Sequence, residues 1–131
     1  YPVLTYNDVE NKHGIQIAGF GRGINPKEDC IVLISTVEEY SDHFTYHDKW
    51  NHDDCYEYSG EGSVGDQSLT KGNRAIVDAA ENGKPIYLYI KFGPQKYLPQ
   101  GIMRLVEYKI VDAPDKNGDI RKEYVFILKR I

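Results

Sequence analysis

Hydrophobic and polar positions alternate in several short stretches of this chain, which is the spacing of half-buried β-strands. Residues 30–35 (CIVLIS) form a continuous apolar run with β-branched side chains and predict a buried strand. Residues 85–92 (PIYLYIKF) alternate Ile and Leu with Tyr and Lys and predict another strand. Three further strands are expected at residues 56–59, 103–111 and 123–131. The Asn-Gly pair within residues 115–119 (DKNGD) predicts a hairpin turn between the last two.

One stretch, residues 66–82, has a helical pattern. Its apolar stripe consists of Leu69, Ile76, Ala79 and Ala80. The Asn82-Gly83 pair is typical of a helix C-terminus, and Gly72 marks an alternative, later start. Several strands, one helix and glycine-rich connections together predict a mainly β (α+β) fold, either a small barrel or a strongly curved sheet.

Two segments are expected to be loops. Residues 14–23 (GIQIAGFGRG) are dense in glycine, but the Gly-x-Gly at Gly21 and Gly23 lacks the third glycine and the following helix of a dinucleotide-binding motif. Residues 37–54 are polar and histidine-rich, yet they contain four aromatic side chains. Aromatic residues in so polar a stretch indicate a functional loop.

The overall composition fits one domain, residues 1–131. The 131 residues are 40% apolar with a mean hydropathy of −0.56, and no run of about 18 apolar residues predicts a membrane span. The sequence begins at Tyr1 without a methionine or a signal peptide, so we expect a domain excised from a larger protein. Two cysteines, Cys30 and Cys55, are too few for a disulfide scaffold and are typical of a reducing cytoplasm.

Charge is distributed unevenly along the chain. Residues 1–70 carry 4 basic and 13 acidic side chains, a net charge of −9, whereas residues 71–131 carry 12 basic and 7 acidic side chains, a net charge of +5. This asymmetry hints at a charged partner, although two surfaces of one domain could simply neutralise each other. The overall charge of −4 argues against non-specific nucleic-acid binding, which needs clustered Lys and Arg.

No catalytic or metal-binding constellation is recognisable. The polar segment has six side chains of metal-ligating type: His43, His47, His52, Asp53, Asp54 and Cys55. They lack the paired spacing of a zinc site, so we expect no metal and no cofactor. Ser59 lies in Tyr-Ser-Gly-Glu-Gly rather than in a nucleophile elbow, and the acidic pairs are adjacent, which in a strand would place them on opposite faces.

The stretch from residue 56 to residue 62 suggests a pocket for a planar ring. Tyr46 and Tyr58 could supply two aromatic faces, and Asp48 could accept a hydrogen bond from an exocyclic amine. Gly60 and Gly62 would let the backbone approach a ligand closely. The alternative is that these tyrosines pack and form hydrogen bonds structurally, because tyrosine is abundant here, with 11 residues.

The order of short motifs in the second half of the chain resembles the SET- and RING-associated (SRA) domain. That family has the progression Tyr-Thr-Gly-x-Gly, Asp-Gln, Asn-Arg-Ala, Gly-x-Pro-Val. The matching motifs here are Tyr58-Ser-Gly-Glu-Gly, Asp66-Gln67, Leu69-Thr70, Gly72-Asn73-Arg74-Ala75 and Gly83-Lys84-Pro85-Ile86. Upstream, Gly14-Ile15, the strand at residues 30–35 and Tyr46-x-Asp48 agree more loosely, so the resemblance covers about 100 residues from Gly14 onward.

The resemblance implies a curved, partly open β-barrel of PUA/SRA type that binds DNA containing 5-methylcytosine or 5-hydroxymethylcytosine and flips the modified base into a pocket. By position, Tyr58 and Tyr46 match the aromatic residues on the two sides of the base, and Ser59 matches the hydroxyl residue beside Tyr58, next to Gly60. Asp48 is the nearest match for the acidic residue that reads the cytosine edge, although strict spacing places Lys49 there.

Besides the spacing at Asp48, this sequence departs from the family pattern at the segment that fills the gap left in the duplex by a flipped base. The family often inserts a basic finger between the Gly-x-Gly and Asp-Gln motifs, whereas here only residues 63–65 intervene. Gln16, Arg22 or the stretch 91–97 (KFGPQKY) are the alternatives for filling it. The residues expected at the DNA backbone are Arg22, Lys71, Asn73, Arg74, Lys91 and Lys96. The residues Asn73 and Arg74 also have a structural interpretation. In that interpretation Asn73 ties a loop or caps the helix, and Arg74 pairs with the acidic strands.

The sequence therefore predicts a non-enzymatic DNA-reading domain. Its partner would be double-stranded DNA with modified cytosine, with no membrane, and it would direct a nuclease elsewhere in the full-length protein. The bacterial restriction context of compact SRA domains implies a cytoplasmic, bacterial or archaeal setting. The alternatives are a PUA- or ASCH-like module that binds RNA or a nucleotide, and a small hydrolase.

Overall fold

The computed structural model describes residues 2–15, 23–36, 49–51 and 53–131 of the chain. These residues form two α-helices and seven β-strands. In chain order they are α1 (Tyr6–His13), β1 (Ile24–Pro26), β2 (Ile31–Thr36), β3 (Lys49–Trp50), β4 (Cys55–Ser59), α2 (Lys71–Glu81), β5 (Ile86–Gly93), β6 (Lys96–Pro114) and β7 (Ile120–Arg130).

The seven strands form one sheet in the order β1-β2-β5-β6-β7-β4-β3. Strands β2 and β5 run parallel, with Ile31 opposite Ile86, and the other neighbours are antiparallel. Strands β6 and β7 form a long hairpin from Met103 opposite Arg130 to Pro114 opposite Ile120. This mainly β architecture confirms the fold class expected from the sequence.

The middle of the sheet is buried on both faces, because a helix covers each of them. Helix α2 contributes Ile76 to a core cluster that also contains Leu33 and Leu88. Helix α1 contributes Val9 to a second cluster on the opposite face, with Val32 and its neighbours. The continuous apolar run of β2 follows from this arrangement, since its side chains enter the two clusters alternately.

The sheet is curled so strongly that β4 reaches β2, although three strands lie between them in the sheet order. The Tyr58 hydroxyl on β4 donates a hydrogen bond to the Ile34 carbonyl on β2 at 3.1 Å. The hydroxyls of Tyr56 and Ser35 are hydrogen-bonded at 2.6 Å. These two tyrosines are therefore struts across the hollow of the curled sheet.

The predicted elements are present, with different bounds. The helix begins at Lys71 rather than at residue 66, after Thr70 in an extended conformation. The predicted hairpin turn is confirmed: the Asp115 carbonyl accepts a hydrogen bond from the Gly118 N–H, and Gly118 has a φ of 86°. The sequence analysis missed helix α1, which begins at a capping box formed by Thr5 and Asp8.

Neither helix in the described ranges is long and apolar enough to cross a membrane. Both cysteines, Cys30 and Cys55, are buried free thiols. Of the six side chains considered as metal ligands, His43, His47 and His52 lie outside the described residues.

Candidate nucleic-acid interface

Tyr58 lies near the points where two segments that contain predicted DNA-binding residues join the sheet. Its hydroxyl bonds the carbonyl of Ile34, two residues before the end of β2 at Thr36, and the segment containing Tyr46 follows β2. Gly23 is the last residue of the glycine-rich segment, and its carbonyl accepts a hydrogen bond from the Ile34 N–H at 2.7 Å. Both segments therefore start or end within a few residues of the Tyr58 hydroxyl.

Gly23 lies close to Tyr58 because it has no side chain. A Cβ at this position would lie 2.9 Å from the Tyr58 hydroxyl oxygen and 3.3 Å from the Ile34 carbonyl oxygen. The predicted base-binding residues Tyr46 and Asp48 and the predicted DNA-backbone residue Arg22 lie outside the described residues, so their contribution stays a prediction.

Tyr58 is a buried strut in this structure rather than an exposed platform. Only 3% of the residue is accessible, and its ring belongs to the core cluster with Phe126, its partner across β7. A base could stack on this ring only after the residues that cover it move. Stacking on Tyr58 accordingly stays a prediction, whereas its structural role is directly visible.

Ser59 and Lys49 are positioned by the neighbouring strands. Ser59 ends β4 opposite Val125, is 9% accessible, and points to the other face of the strand from Tyr58, since successive strand residues alternate. Lys49 begins β3 with its backbone opposite Glu57. Tyr58 and Ser59 thus lie on opposite faces of β4.

The loop after β4 is held by two buried amide side chains. Gln67 donates from Nε2 to the carbonyls of Gly60 at 2.8 Å and Gly62 at 3.1 Å, and its Oε1 accepts from the Tyr124 N–H at 2.9 Å. A Cβ at Gly60 would lie 2.8 Å from Gln67 Oε1, so glycine is required for this close approach.

Asn73 is the second amide, and all of its hydrogen bonds go to the loop. Its Oδ1 accepts from the Glu61 N–H at 2.7 Å, and its Nδ2 donates to the carbonyls of Glu61 at 3.1 Å and Ser68 at 3.0 Å. Asn73 is 1% accessible. The loop-tying alternative is therefore the one that the structure displays, and the amide has no exposed atom to offer a phosphate.

The N-terminus of α2 is already occupied by a carboxylate. Glu61 Oε1 accepts from the Gly72 N–H at 2.7 Å, and a side chain on Gly72 would collide with that carboxylate. A hollow of about 320 Å³ beside it is lined by Glu61, Asp66 and Lys71 among others. Since carboxylates neutralise the positive end of a helix dipole, this terminus is a poor phosphate site by itself.

Arg74 is paired within its own helix, not with the acidic strands. Its Nε donates to Asp78 at 2.9 Å, and its Nη2 lies 4.0 Å from Glu81. The side chains of Arg74 and Asp78 are each 48% exposed, so this is a surface pair of small energetic value. Arg74 can therefore exchange these partners for a phosphate at low cost.

Arg121 is a buried residue that holds the loop after β4. It is 4% accessible and donates from Nη1 to the carbonyls of Gly62 at 2.9 Å and Gly65 at 2.8 Å. Its Nη2 lies 3.3 Å from Glu123 Oε1, a buried pair. Sequence reasoning missed this role because the loop that buries Arg121 is more than 50 residues away in the chain.

Asp115 completes the clamp on this loop. Its carboxylate accepts hydrogen bonds from the N–H groups of Gly65 at 3.0 Å, Asn117 at 2.8 Å and Asp119 at 3.1 Å. These bonds, that of Gly65 above all, lower the pKa of the Asp115 carboxyl below its usual range. We call the residues Gln67, Asn73, Asp115 and Arg121 the loop clamp.

Lys91 and Lys96 lie at the end of the sheet where the segment containing Tyr46 begins. Lys91 is opposite Thr36, the last residue of β2, and its ammonium lies 5.7 Å from the centre of the Tyr97 ring. Lys96, exposed at the start of β6, is 5.9 Å from the Phe92 ring. The ammonium of Lys91 thus lies over a ring of the cluster on the α1 face, whereas Lys96 lies beside the exposed ring of Phe92.

The motifs that resemble an SRA domain in the sequence, from Tyr58 to Ile86, thus form the end of β4, the clamped loop, helix α2 and the start of β5. The family model described as "ScoMcrA-like, SRA domain" matches residues 5–131. The chain therefore belongs to the ScoMcrA-like SRA family. A search of curated proteins by sequence gave no significant match.

Several solved structures share this fold. The sulfur binding domain and SRA domain of ScoMcrA, complexed with phosphorothioated DNA, match with a TM-score of 0.72 and 20% identity over 99% of this chain and 39% of that chain. The SUVH5 SRA domain complexed with methylated CHH DNA matches with a TM-score of 0.71 and 22% identity over 99% of this chain and 86% of that chain.

The phosphorothioation-dependent restriction endonuclease ScoMcrA, a Type IV enzyme, matches with a TM-score of 0.72 and 19% identity, over 100% of this chain but only 28% of that chain. At such identities the likeness establishes the fold. This chain thus spans well under half the length of the ScoMcrA chains that it matches.

Proposed function

We propose that this SRA domain recognises modified cytosine, 5-methyl or 5-hydroxymethyl, in double-stranded DNA by flipping the base toward Tyr58. The observation that carries the proposal is the convergence at Ile34, which is hydrogen-bonded both to the Tyr58 hydroxyl and to Gly23 at the end of the segment that contains Arg22, and which lies two residues before the end of β2, where the segment that contains Tyr46 begins. In this proposal Tyr46 faces the other side of the base, and Asp48 or Lys49 reads its edge.

The energetic requirement is specific. Extruding a base from a duplex costs a few kcal/mol, which stacking and edge hydrogen bonds must offset. One stacked base contributes roughly 1–3 kcal/mol. The Tyr58 ring is already fixed by its hydrogen bond to Ile34, so little side-chain entropy is lost when a base binds.

Positive charge near the proposed pocket supports backbone contact. Lys91 lies opposite the last residue of β2, Lys96 lies opposite Gly93 at the end of β5, and Arg22 is the basic residue of the glycine-rich segment. Lys71 and Arg74 flank the occupied helix N-terminus. We therefore assign the larger share of phosphate contact to Lys91 and Lys96, because no carboxylate of the described residues is paired with them.

A binding titration tests base recognition. Duplexes that differ only in cytosine, 5-methylcytosine or 5-hydroxymethylcytosine at one position are compared at one salt concentration. We expect tighter binding to a modified duplex. Tyr46→Ala should reduce that preference by roughly 1–3 kcal/mol, whereas Tyr40→Ala, in the same segment, should leave it unchanged. Equal affinity for all three duplexes, together with binding to RNA, would instead support the PUA- or ASCH-like alternative.

Phosphorothioated DNA is a second candidate ligand, because the ScoMcrA structure that this chain resembles is a complex with that DNA. The ScoMcrA complex with that DNA contains a separately named sulfur binding domain in addition to its SRA domain. We therefore expect this chain alone to bind phosphorothioated and plain duplexes equally. A strong preference for the phosphorothioated duplex would indicate that the domain recognises the DNA backbone rather than a modified base.

The proposed role of the full-length protein is to direct a nuclease. ScoMcrA is a restriction endonuclease of which an SRA domain of this size forms only part, which supports a nuclease outside residues 1–131. Incubation of this chain with modified DNA and Mg²⁺ should give binding without strand breaks. Cleavage by the chain itself would contradict the role of a non-enzymatic reader.

A further inference from the structure

Strand β6 has a free edge along its second half. Strand β5 pairs with it only as far as Met103, opposite Ile86. From Arg104 to Pro114, β6 pairs with β7 on one side, and no strand of the described residues pairs with it on the other. The backbone groups of this edge are a template for another strand.

The free edge carries apolar side chains that the fold leaves exposed. Val106 is 45% accessible, Tyr108 is 41% accessible and Ile110 is 54% accessible. Proteins usually protect such an edge or use it for strand addition.

We infer that the edge accepts the same strand of a second copy of this chain, antiparallel, with the two-fold axis at Tyr108. This association is independent of the proposed DNA-binding function. A two-fold axis requires a self-complementary patch, and the sequence Arg-Leu-Val-Glu-Tyr-Lys-Ile-Val-Asp around Tyr108 has opposite charges at equal distances from its centre.

The two charges beside Tyr108 favour this register. Glu107 and Lys109 are both exposed and line the same outer hollow of the hairpin, so they lie on one face of β6. With the axis at Tyr108, Glu107 is opposite the partner's Lys109, and by symmetry Lys109 is opposite the partner's Glu107. Two oppositely charged cross-strand pairs result, and each is favourable.

Neighbouring registers are unfavourable. An axis one residue later would place Lys109 opposite the partner's Lys109, and an axis one residue earlier would place Glu107 opposite the partner's Glu107. Like charges directly opposite each other are destabilising. A lysine on an edge usually discourages pairing, and here only the register centred on Tyr108 pairs it with a carboxylate.

Tyr108 adds an aromatic contact on the inner face. Its ring centre lies 6.0 Å from that of Tyr124 and 5.9 Å from that of Phe126, so its orientation is supported within the chain. On the axis it would face the partner's Tyr108. The irregular pairing between Leu105 and Glu107 shortens the regular ladder on each side, so the dimer is expected to be weak and to depend on concentration.

A charge exchange tests this register. Glu107→Lys gives a chain with two positive charges beside the axis, and Lys109→Glu gives a chain with two negative charges. Each variant alone should associate at least about tenfold more weakly than the wild type. An equimolar mixture of the two should form a heterodimer, because every cross-strand pair in it is oppositely charged. Sedimentation equilibrium distinguishes the 15.0 kDa monomer from a species of twice that mass.

The controls carry the same charge changes elsewhere. Glu28→Lys and Lys116→Glu alter exposed residues outside the edge and should leave the association unchanged. Tyr108→Cys should yield a disulfide-linked dimer under mild oxidation, and Val64→Cys, also exposed, should not. A wild type that stays monomeric up to about 1 mM, or single variants whose mixture fails to associate, would overturn the inference.

Discussion

Replacing Tyr58 by Phe would remove one hydroxyl and keep the aromatic ring. The lost hydrogen bond, 3.1 Å long, joins β4 to β2 across the hollow of the curled sheet. Its acceptor belongs to Ile34, a residue that is 3% accessible, so water cannot readily replace the donor. Losing such a bond costs roughly 1–2 kcal/mol. For a chain of this size we expect a fall in melting temperature of about 4 °C per kcal/mol.

Urea denaturation at constant pH measures this change. Trp50 is the single tryptophan and its ring lies 5.1 Å from that of Tyr56, so its fluorescence reports the region around β3 and β4. The transition midpoint should fall with an unchanged slope. Tyr108→Phe, which removes a hydroxyl from a residue that is 41% accessible, is the matched control and should change the free energy of unfolding by less than about 0.5 kcal/mol.

The same variant separates the two roles of Tyr58. Because the Phe ring can still stack, discrimination between modified and plain duplex should persist in Tyr58→Phe. Tyr58→Ala is a poorer probe, since it also opens a cavity in the core at a cost of roughly 3–5 kcal/mol. An unchanged stability in Tyr58→Phe would refute the strut, and a loss of discrimination at unchanged stability would show that the hydroxyl contacts the base.

Three further outcomes are expected. Asn73→Ala should lower the free energy of unfolding by at least about 2 kcal/mol in urea denaturation, because backbone groups of the loop then lose their hydrogen-bond partners. Asp115→Asn should destabilise the protein most near pH 7, and the difference in unfolding free energy from the wild type should shrink toward pH 3. Folding lowers the pKa of the Asp115 carboxyl. Its stabilising contribution is therefore complete above the unfolded-state pKa and is lost as the pH falls through the folded-state pKa. Lys96→Ala should reduce the slope of log affinity against log salt by about 1 for modified and plain duplexes alike, while Lys116→Ala should not.

The strands could be predicted from the sequence because their alternation reflects burial on one or both sheet faces. Helix α1 could not be found in that way, since it buries only Val9 and His13 and so has no continuous apolar stripe. Its available signal was local: Thr5 followed by Asp8 at its start, and Gly14 in a left-handed conformation at its end.

The candidate site was less accessible to sequence reasoning. The strut role of Tyr58 depends on the curl that brings β4 to β2, and Arg121 is buried by a loop distant in the chain. No local pattern encodes either contact. For Asn73 the sequence left two roles open, and burial with three hydrogen bonds selects the structural one.

The loop clamp has a consequence for the engineering of such readers. Gln67, Asn73, Asp115 and Arg121 hold the motif by which the family is recognised, and the contacts described for them are made within the chain. Replacing the segment between β2 and β3 with that of another homologue should therefore leave the loop clamp intact. Ligand preference could then be changed while the motifs of the family are retained.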